Sequence, residues 1–192
     1  MASLTQYQKG NRLLVSKQYA KAIRHFESHA AAHPEDEANC HERIAECYRR
    51  SNVLRAPVPV AEGVTLVSEG NSKAAEHHFR LALDRDPHHF ASLYGLSQLL
   101  PERSDERFEL PRRAISIRED VMVLNDLGDY YRSVKKDLAS AYDCYSRAVA
   151  DRPRDETAYK KLRDLCRRMK RTDEAKEWSS RWKEVNEKRK RR

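Results

Sequence analysis

Between Leu124 and Pro153 the chain sets out two helical faces in succession. Leu124, Leu127, Gly128 and Tyr131 share the first; Ala141, Tyr145 and Ala148 share the second; Pro153 closes the stretch. Apolar residues recurring three and four apart mark amphipathic helices. Two such short helices bury their apolar faces only against each other and against neighbours of the same kind. The arrangement recurs. Gly10, Leu13 and Leu14 precede Ala22, Phe26, Ala30 and Pro34, and Ala75, Phe79, Ala82 and Pro87 repeat the second half. A chain built this way is constrained to stack helix pairs.

The spacing resembles the tetratricopeptide repeat, whose pattern is Trp-x2-Leu-Gly-x2-Tyr, then Ala-x3-Phe, then Pro. The resemblance spans about residues 3–185. It implies an all-α fold, a right-handed superhelical solenoid of antiparallel helix pairs (TPR-like) with about ten or eleven helices. Composition agrees: Thr and Val are sparse, no run alternates with period two, and only 5 Gly and 7 Pro interrupt the chain.

Along the chain, repeat one runs from Leu4 to Pro34, with Lys17-Gln18-Tyr19 at its turn. A helix is expected over about Glu37 to Arg50, with Ala45 at the small-residue position. Ser51 to Asn71 carries Pro57, Pro59, Gly63 and Gly70 and reads as an irregular insertion in a single domain over 3–185. Val60 to Glu69 inside it reads as a short helix of its own, because a long structureless loop is uncommon in a compact domain. A long inserted loop is the other reading. Helices then follow over Ser72 to Pro87, Phe90 to Leu100, and Asp105 to Ile117. The last of these is degenerate, its stripe made by Leu110, Ala114 and Ile117, with Arg118 in place of the terminating Pro. The final pair places Tyr159, Leu162 and Cys166 before Ala175, Trp178 and Trp182, with Arg163 at the small-residue position, as suits a terminal unit.

The resemblance also implies the class of function, a non-enzymatic scaffold or adaptor for protein–protein interaction that holds a peptide or partner subunit in its concave groove. The first helix of each pair lines that side. Spacing puts Tyr7 and Asn11 there, then Arg43, Glu46 and Arg50, then Tyr94 and Gln98, then Asn125, Asp129 and Arg132, then Lys160 and Arg167. The Arg and Lys among them would favour an acidic peptide or a carboxylate terminus; an ordinary solvated helix face is the alternative. Some members of the family clamp the carboxylate of chaperone tails. Here Gly10-Asn11 fits that pattern, but Tyr7 stands where a Lys is needed and Arg43 where an Asn is needed, so the clamp is not expected.

No enzyme is expected. The chain has no GxGxxG, no P-loop and no GxSxG, and Cys and His never fall into a nucleophile–base spacing. His25, His29 and His33 stand at i, i+4 and i+8, with Cys40 and His41 soon after. Histidines four apart can bind a metal, but no HExxH accompanies them, and they read as a partly solvated stripe. The pairs His77-His78 and His88-His89 diverge around a helix. No metal and no cofactor are expected.

The net charge of +8 is unevenly placed: Arg152 to Arg192 holds 17 Lys and Arg against 8 Asp and Glu. The basic run Lys188, Arg189, Lys190, Arg191 and Arg192, a tail over 186–192, suits a nuclear-import signal, a nucleic-acid phosphate contact or an anionic membrane surface. It also suits a solvated end that complements the negative pole of a helix. A nucleic-acid-associated repeat protein is therefore the alternative function. Trp178 and Trp182 beside the run invite base stacking, but aromatics four apart on a last helix more readily seal the end of the core. No run approaches the ~18 apolar residues of a membrane span. The four cysteines form no CxxC pair and read as reduced, buried small hydrophobes. The expected location is the cytoplasm, with the nucleus as the alternative.

Overall fold

The computed structural model describes residues 4–53 and 63–190, with side chains over 4–51 and 71–187. Ten α-helices and no strand occur among the described residues. The chain forms two compact units, Met1–Glu102 and Arg103–Arg192, within the span read as one repeat domain.

Unit 1 holds α1 (Gln6–Val15), α2 (Tyr19–Ala32), α3 (Glu37–Val53), α4 (Gly63–Arg85) and α5 (Phe90–Ser97). Thr5 opens α1 with a capping box: its hydroxyl accepts from Gln8 N at 3.2 Å and its own N–H donates to Gln8 Oε1 at 3.1 Å. The turn into α2 is a Schellman closure. Gln18 N donates to Leu13 O at 2.8 Å, Lys17 N donates to Leu14 O at 3.1 Å, and Lys17 is left-handed at φ 62°. Gly10 is required by its neighbour, since a Cβ there would lie 2.7 Å from the Phe26 ring. Leu14, Ala22, Phe26, Cys40, Ile44 and Cys47 form the core between α1, α2 and α3. Pro34 ends α2 as its missing N–H and the non-helical His33 before it require, and a short 3₁₀ turn follows.

Helices reach into both ends of the 51–71 stretch expected to be irregular. Helix α3 runs on through Val53, and α4 starts at Gly63 and continues without a break to Arg85. The separate short helix expected over Val60 to Glu69 is thus the first turns of the helix that carries Ala75, Phe79 and Ala82; residues 54–62 lie outside the described residues. Helical propagation costs less than a new nucleus, and Ser72 brings no proline to stop it. The glycine that meets Phe79 is Gly95 on α5, where a Cβ would lie 2.4 Å from the ring.

Unit 2 holds α6 (Asp105–Ile117), α7 (Val121–Tyr130), α8 (Leu138–Asp151), α9 (Glu156–Arg168) and α10 (Thr172–Lys190). Ser104, Asp120, Asp137 and Asp155 cap the first four, each side chain accepting from a first-turn N–H. In α6, Ile117 does not hold the buried stripe; it is 42% exposed. Phe108, Leu110, Pro111 and Ala114 are buried instead, and Phe108 stacks on Tyr130 with ring centroids 4.5 Å apart. Arg118 ends α6 in an extended conformation, so no terminating proline is needed.

The repeats are not of equal length. Gly10 precedes Ala22 by 12 positions and Phe26 by 16, whereas Gly128 precedes Ala141 by 13 and Tyr145 by 17. The extra residue is absorbed by a π turn over Tyr131–Lys135, closed by Asp137 N donating to Tyr131 O at 2.9 Å. The glycine–aromatic contact survives: a Cβ on Gly128 would lie 2.4 Å from the Tyr145 ring. Lys136 and Lys170 take the left-handed place that Lys17 takes in unit 1. Trp178 and Trp182 pack on Tyr159 at 6.0 Å and 5.5 Å, sealing the core of Leu162, Leu165, Cys166 and Ala175. Helix α10 carries the backbone of the basic tail as far as Lys190; the side chains of Lys188, Arg189 and Lys190, and all of Arg191 and Arg192, lie outside the described residues.

Candidate partner-binding site

The strongest polar constellation of unit 2 is centred on Asp129, one turn after Asn125 on α7. Its Oδ1 accepts from the Tyr145 hydroxyl at 2.7 Å and from Arg132 Nη2 at 3.0 Å. Its Oδ2 accepts from Lys161 Nζ at 2.6 Å. The same ammonium lies 5.5 Å from the Tyr145 ring centroid and 3.4 Å from the Asn125 carbonyl oxygen. Burial first, and then the adjacent carboxylate, push the Tyr145 hydroxyl far up, so it remains a donor. Asp129 is therefore a post that fixes Lys161 and Tyr145. Asn125 differs. Its side chain is buried, and its Oδ1 accepts no hydrogen bond among the described residues.

This brings Asn125, Asp129 and Arg132 together as the spacing predicts, but with Lys161 in place of Lys160. Lys160 points away and pairs with Glu156 at 2.8 Å; Arg167 pairs with Asp164 at 3.5 Å. The sequence does carry the signal. Lys161 lies three after Ala158 and four before Leu165, both buried, so it borders the apolar stripe.

In unit 1 the face of α3 is a carboxylate ladder with its own cations. Glu46, nearly buried, accepts from Arg49 Nε and Nη2, both at 2.7 Å, and from Arg50 Nε at 2.5 Å. Burial raises the Glu46 carboxyl, but the hydrogen bonds from Arg49 and Arg50 outweigh it and hold it below the usual range. One turn earlier, burial pushes Glu42 up against the pull of Arg43, which stands 3.2 Å away. Arg43 Nε also donates to the Tyr7 hydroxyl at 3.4 Å, and Tyr7 packs edge-on to Phe26. Tyr7, Arg43, Glu46 and Arg50 thus belong to one face, joined by Glu42 and Arg49. Asn11 is half-buried on α1, Tyr94 half-buried on α5, and Gln98 caps the end of α5. The Arg43 and Arg50 charges that would favour an acidic partner are already met by Glu42 and Glu46.

Of the histidine stripe, His29 and His33 keep ring contact at 4.5 Å, and His33 faces Glu35 at 3.2 Å, while the others turn to separate partners. His29 is buried and faces Asp36 at 3.1 Å; His25 faces Gln6; His41 instead meets His78 of α4, Nδ1 to Nδ1, at 3.1 Å. No group of three or more His, Cys, Asp or Glu is placed to hold a metal among the described residues. The four cysteines are buried, and burial pushes Cys40 and Cys144 up to about 11 and Cys47 up to about 12, so none of these three is a thiolate nucleophile. No described helix is long and apolar enough to cross a membrane.

No protein-family model matches the sequence, and no curated protein matches it significantly. Solved structures do match the fold. A crystal structure of MamA superposes with a TM-score of 0.70 at 16% identity, covering 95% of this chain and 97% of that one. PilF of Pseudomonas aeruginosa gives 0.66 at 17% identity over 93% of this chain and 74% of its own. A thermophilic TPR protein of Thermus thermophilus gives 0.62 at 15% identity over 83% and 79%. At these identities the likeness is one of fold: an all-α array of antiparallel helix pairs of the TPR-like kind.

Proposed function

We propose that the chain is a non-catalytic scaffold that holds a peptide or a partner subunit against the first-helix faces of its pairs. The α7–α9 face of unit 2 is its firmest site. The TPR-like fold supports the class, because stacked helix pairs present preformed surfaces and so lower the ordering cost of binding. The observation that carries the site is Lys161, whose ammonium is held at 2.6 Å by Asp129 and lies 3.4 Å from the Asn125 carbonyl. The Lys161 side chain is 22% exposed, so a bound segment can reach it. Asp129, held by Tyr145 and Arg132, positions Lys161 beside it to meet a carbonyl or carboxylate of the same segment. The ligand is thus a segment offering a main-chain acceptor or a carboxylate terminus, with no surplus of acid demanded by the self-neutralised α3 face.

The test uses peptides selected from a random library on the immobilised full chain. Their affinities are then measured against the wild type, Asp129→Asn and Lys161→Ala, each checked for helicity. Weakening of about 5- to 30-fold in each variant, the size of one lost hydrogen bond, is expected. Unchanged affinities in both variants would remove this face from the reading.

A further inference from the structure

A second surface, separate from the Asp129 face, lies between α9 and α10. A cleft of about 420 Å³ is lined there by Arg167, Lys176 and Lys183 and by the hydroxyl residues Thr172, Ser179 and Ser180. The seventh lining residue, Ala175, is buried, so no exposed apolar side chain faces the cleft. No carboxylate lines it. Along α10 the lining positions 172, 176, 179, 180 and 183 form one helical stripe. At about 1.5 Å of rise per residue the stripe extends for roughly 16 Å.

We infer that this stripe binds the phosphodiester backbone of a nucleic acid, without reading its bases. The cleft offers no apolar or aromatic pocket for a protein side chain to fill. A chain of evenly spaced phosphates needs only cations and hydroxyl donors, and gains its affinity from counterion release. Two of the lining cations pair with carboxylates outside the cleft. Asp164 stands 3.5 Å from Arg167 and Asp173 stands 3.0 Å from Lys176, both pairs well exposed to water and weak for that reason. No aromatic side chain lines the cleft for a base to stack on: Trp178 is buried and Trp182 packs on Tyr159. Binding therefore depends on length and salt and is indifferent to sequence. It adds to the scaffold reading and does not rest on it.

The test is fluorescence anisotropy of a labelled poly(U) RNA, about 20 nucleotides long, with the full chain between roughly 50 and 200 mM salt, the range over which phosphate contacts are resolved. The comparison is with the triple variant Arg167→Gln, Lys176→Gln, Lys183→Gln, checked by circular dichroism. Three phosphate contacts contribute a slope of about −2 in log K against log salt for a single strand. The wild type should bind at low salt, and the variant's slope should be shallower by about that amount. An excess of poly-glutamate of matched charge should displace the RNA poorly. No binding at the lowest salt, an unchanged slope in a folded variant, or equal displacement by poly-glutamate would each overturn the inference.

Discussion

The two units use one packing device and differ in almost everything laid over it. Gly10 against Phe26 and Gly95 against Phe79 in unit 1 have their counterpart in Gly128 against Tyr145 in unit 2. In each case a missing Cβ lets a helix settle on an aromatic ring. Unit 1, however, holds all eight histidines and carries Lys plus Arg and Asp plus Glu in equal number, twelve of each. Unit 2 holds no histidine, both tryptophans, and 26 cations against 18 anions. Its aromatic at the glycine contact is a tyrosine, whose hydroxyl ties the core to the Asp129 cluster. The packing residues are therefore fixed by how closely helices must approach. The polar residues around them are free to serve different ends: neutral internal pairing in unit 1, surplus positive charge in unit 2.

The contrast is tested most severely by Phe26→Ala. Phe26 is fully buried, and its loss should cost about 3–5 kcal/mol. Both tryptophans lie in unit 2. In a urea titration the far-ultraviolet ellipticity should therefore acquire an early transition while the tryptophan emission transition stays where it is in the wild type. Emission moving in step with ellipticity would make the two units a single cooperative body.

Acid should separate the units next. Burial, and then the neighbouring His41 and His77, push His78 down to about 4 from an ordinary 6.5. Around its ring stand His41, Tyr48 and His77, with Glu37 behind His41. The fold prefers the neutral ring, so the unfolded chain binds the extra proton first. Its contribution is whole above pH 6.5 and is lost as the pH falls toward 4. Unit 1 should weaken from pH 6.5 downward, and His78→Phe should flatten that decline, while the unit 2 transition, with no histidine to titrate, holds steady just below pH 6.5. A decline shared equally by both units would contradict the assignment.

Tyr145→Phe isolates the one packing difference. It keeps the ring on Gly128 and removes the hydroxyl that Asp129 accepts from at 2.7 Å. A loss of about 1.5–3 kcal/mol is expected in the unit 2 transition, as for a hydrogen bond to a charged group. A value near zero would mean that Arg132 and Lys161 satisfy Asp129 without it. The smallest effect concerns the turns. Lys17, Lys136 and Lys170 have φ of 62°, 59° and 60°. Glycine at each should raise stability by roughly 0.5–1 kcal/mol, the left-handed penalty less the extra freedom of the unfolded chain. The gain should be read once in unit 1 and twice in unit 2.

Much of the fold is legible in the residues. The bounds expected for α6 agree with the structure, and the stop at Pro34 and the sealing role of Trp178 and Trp182 follow from local rules. Even the π turn is written as a spacing of 17 where 16 would serve. The candidate site is legible in part. Asn125, Asp129 and Arg132 fall on one face by period alone. Repeat spacing selects Lys160 where packing selects Lys161, because a one-residue step turns a helical side chain by about 100°. Only the buried neighbours Ala158 and Leu165 show which way it turns. Glu42 and Arg49 escape the spacing for the same reason. His41 groups in sequence with the stripe of α2, although it meets His78 across α3 and α4.

Where helices begin and end, which positions must be small, and where the charge collects are all settled along the chain. These depend on backbone hydrogen bonding, caps and the 3.6-residue period, which act within a few residues. Packing alone decides that Phe79 meets Gly95, that Asn125 Oδ1 is buried with no hydrogen bond among the described residues, and that Asp129 fixes Lys161. Those contacts depend on how far each helix is rotated and shifted against its neighbour. That is set by the interlocking of many side chains at once, and no local pattern in the chain records it.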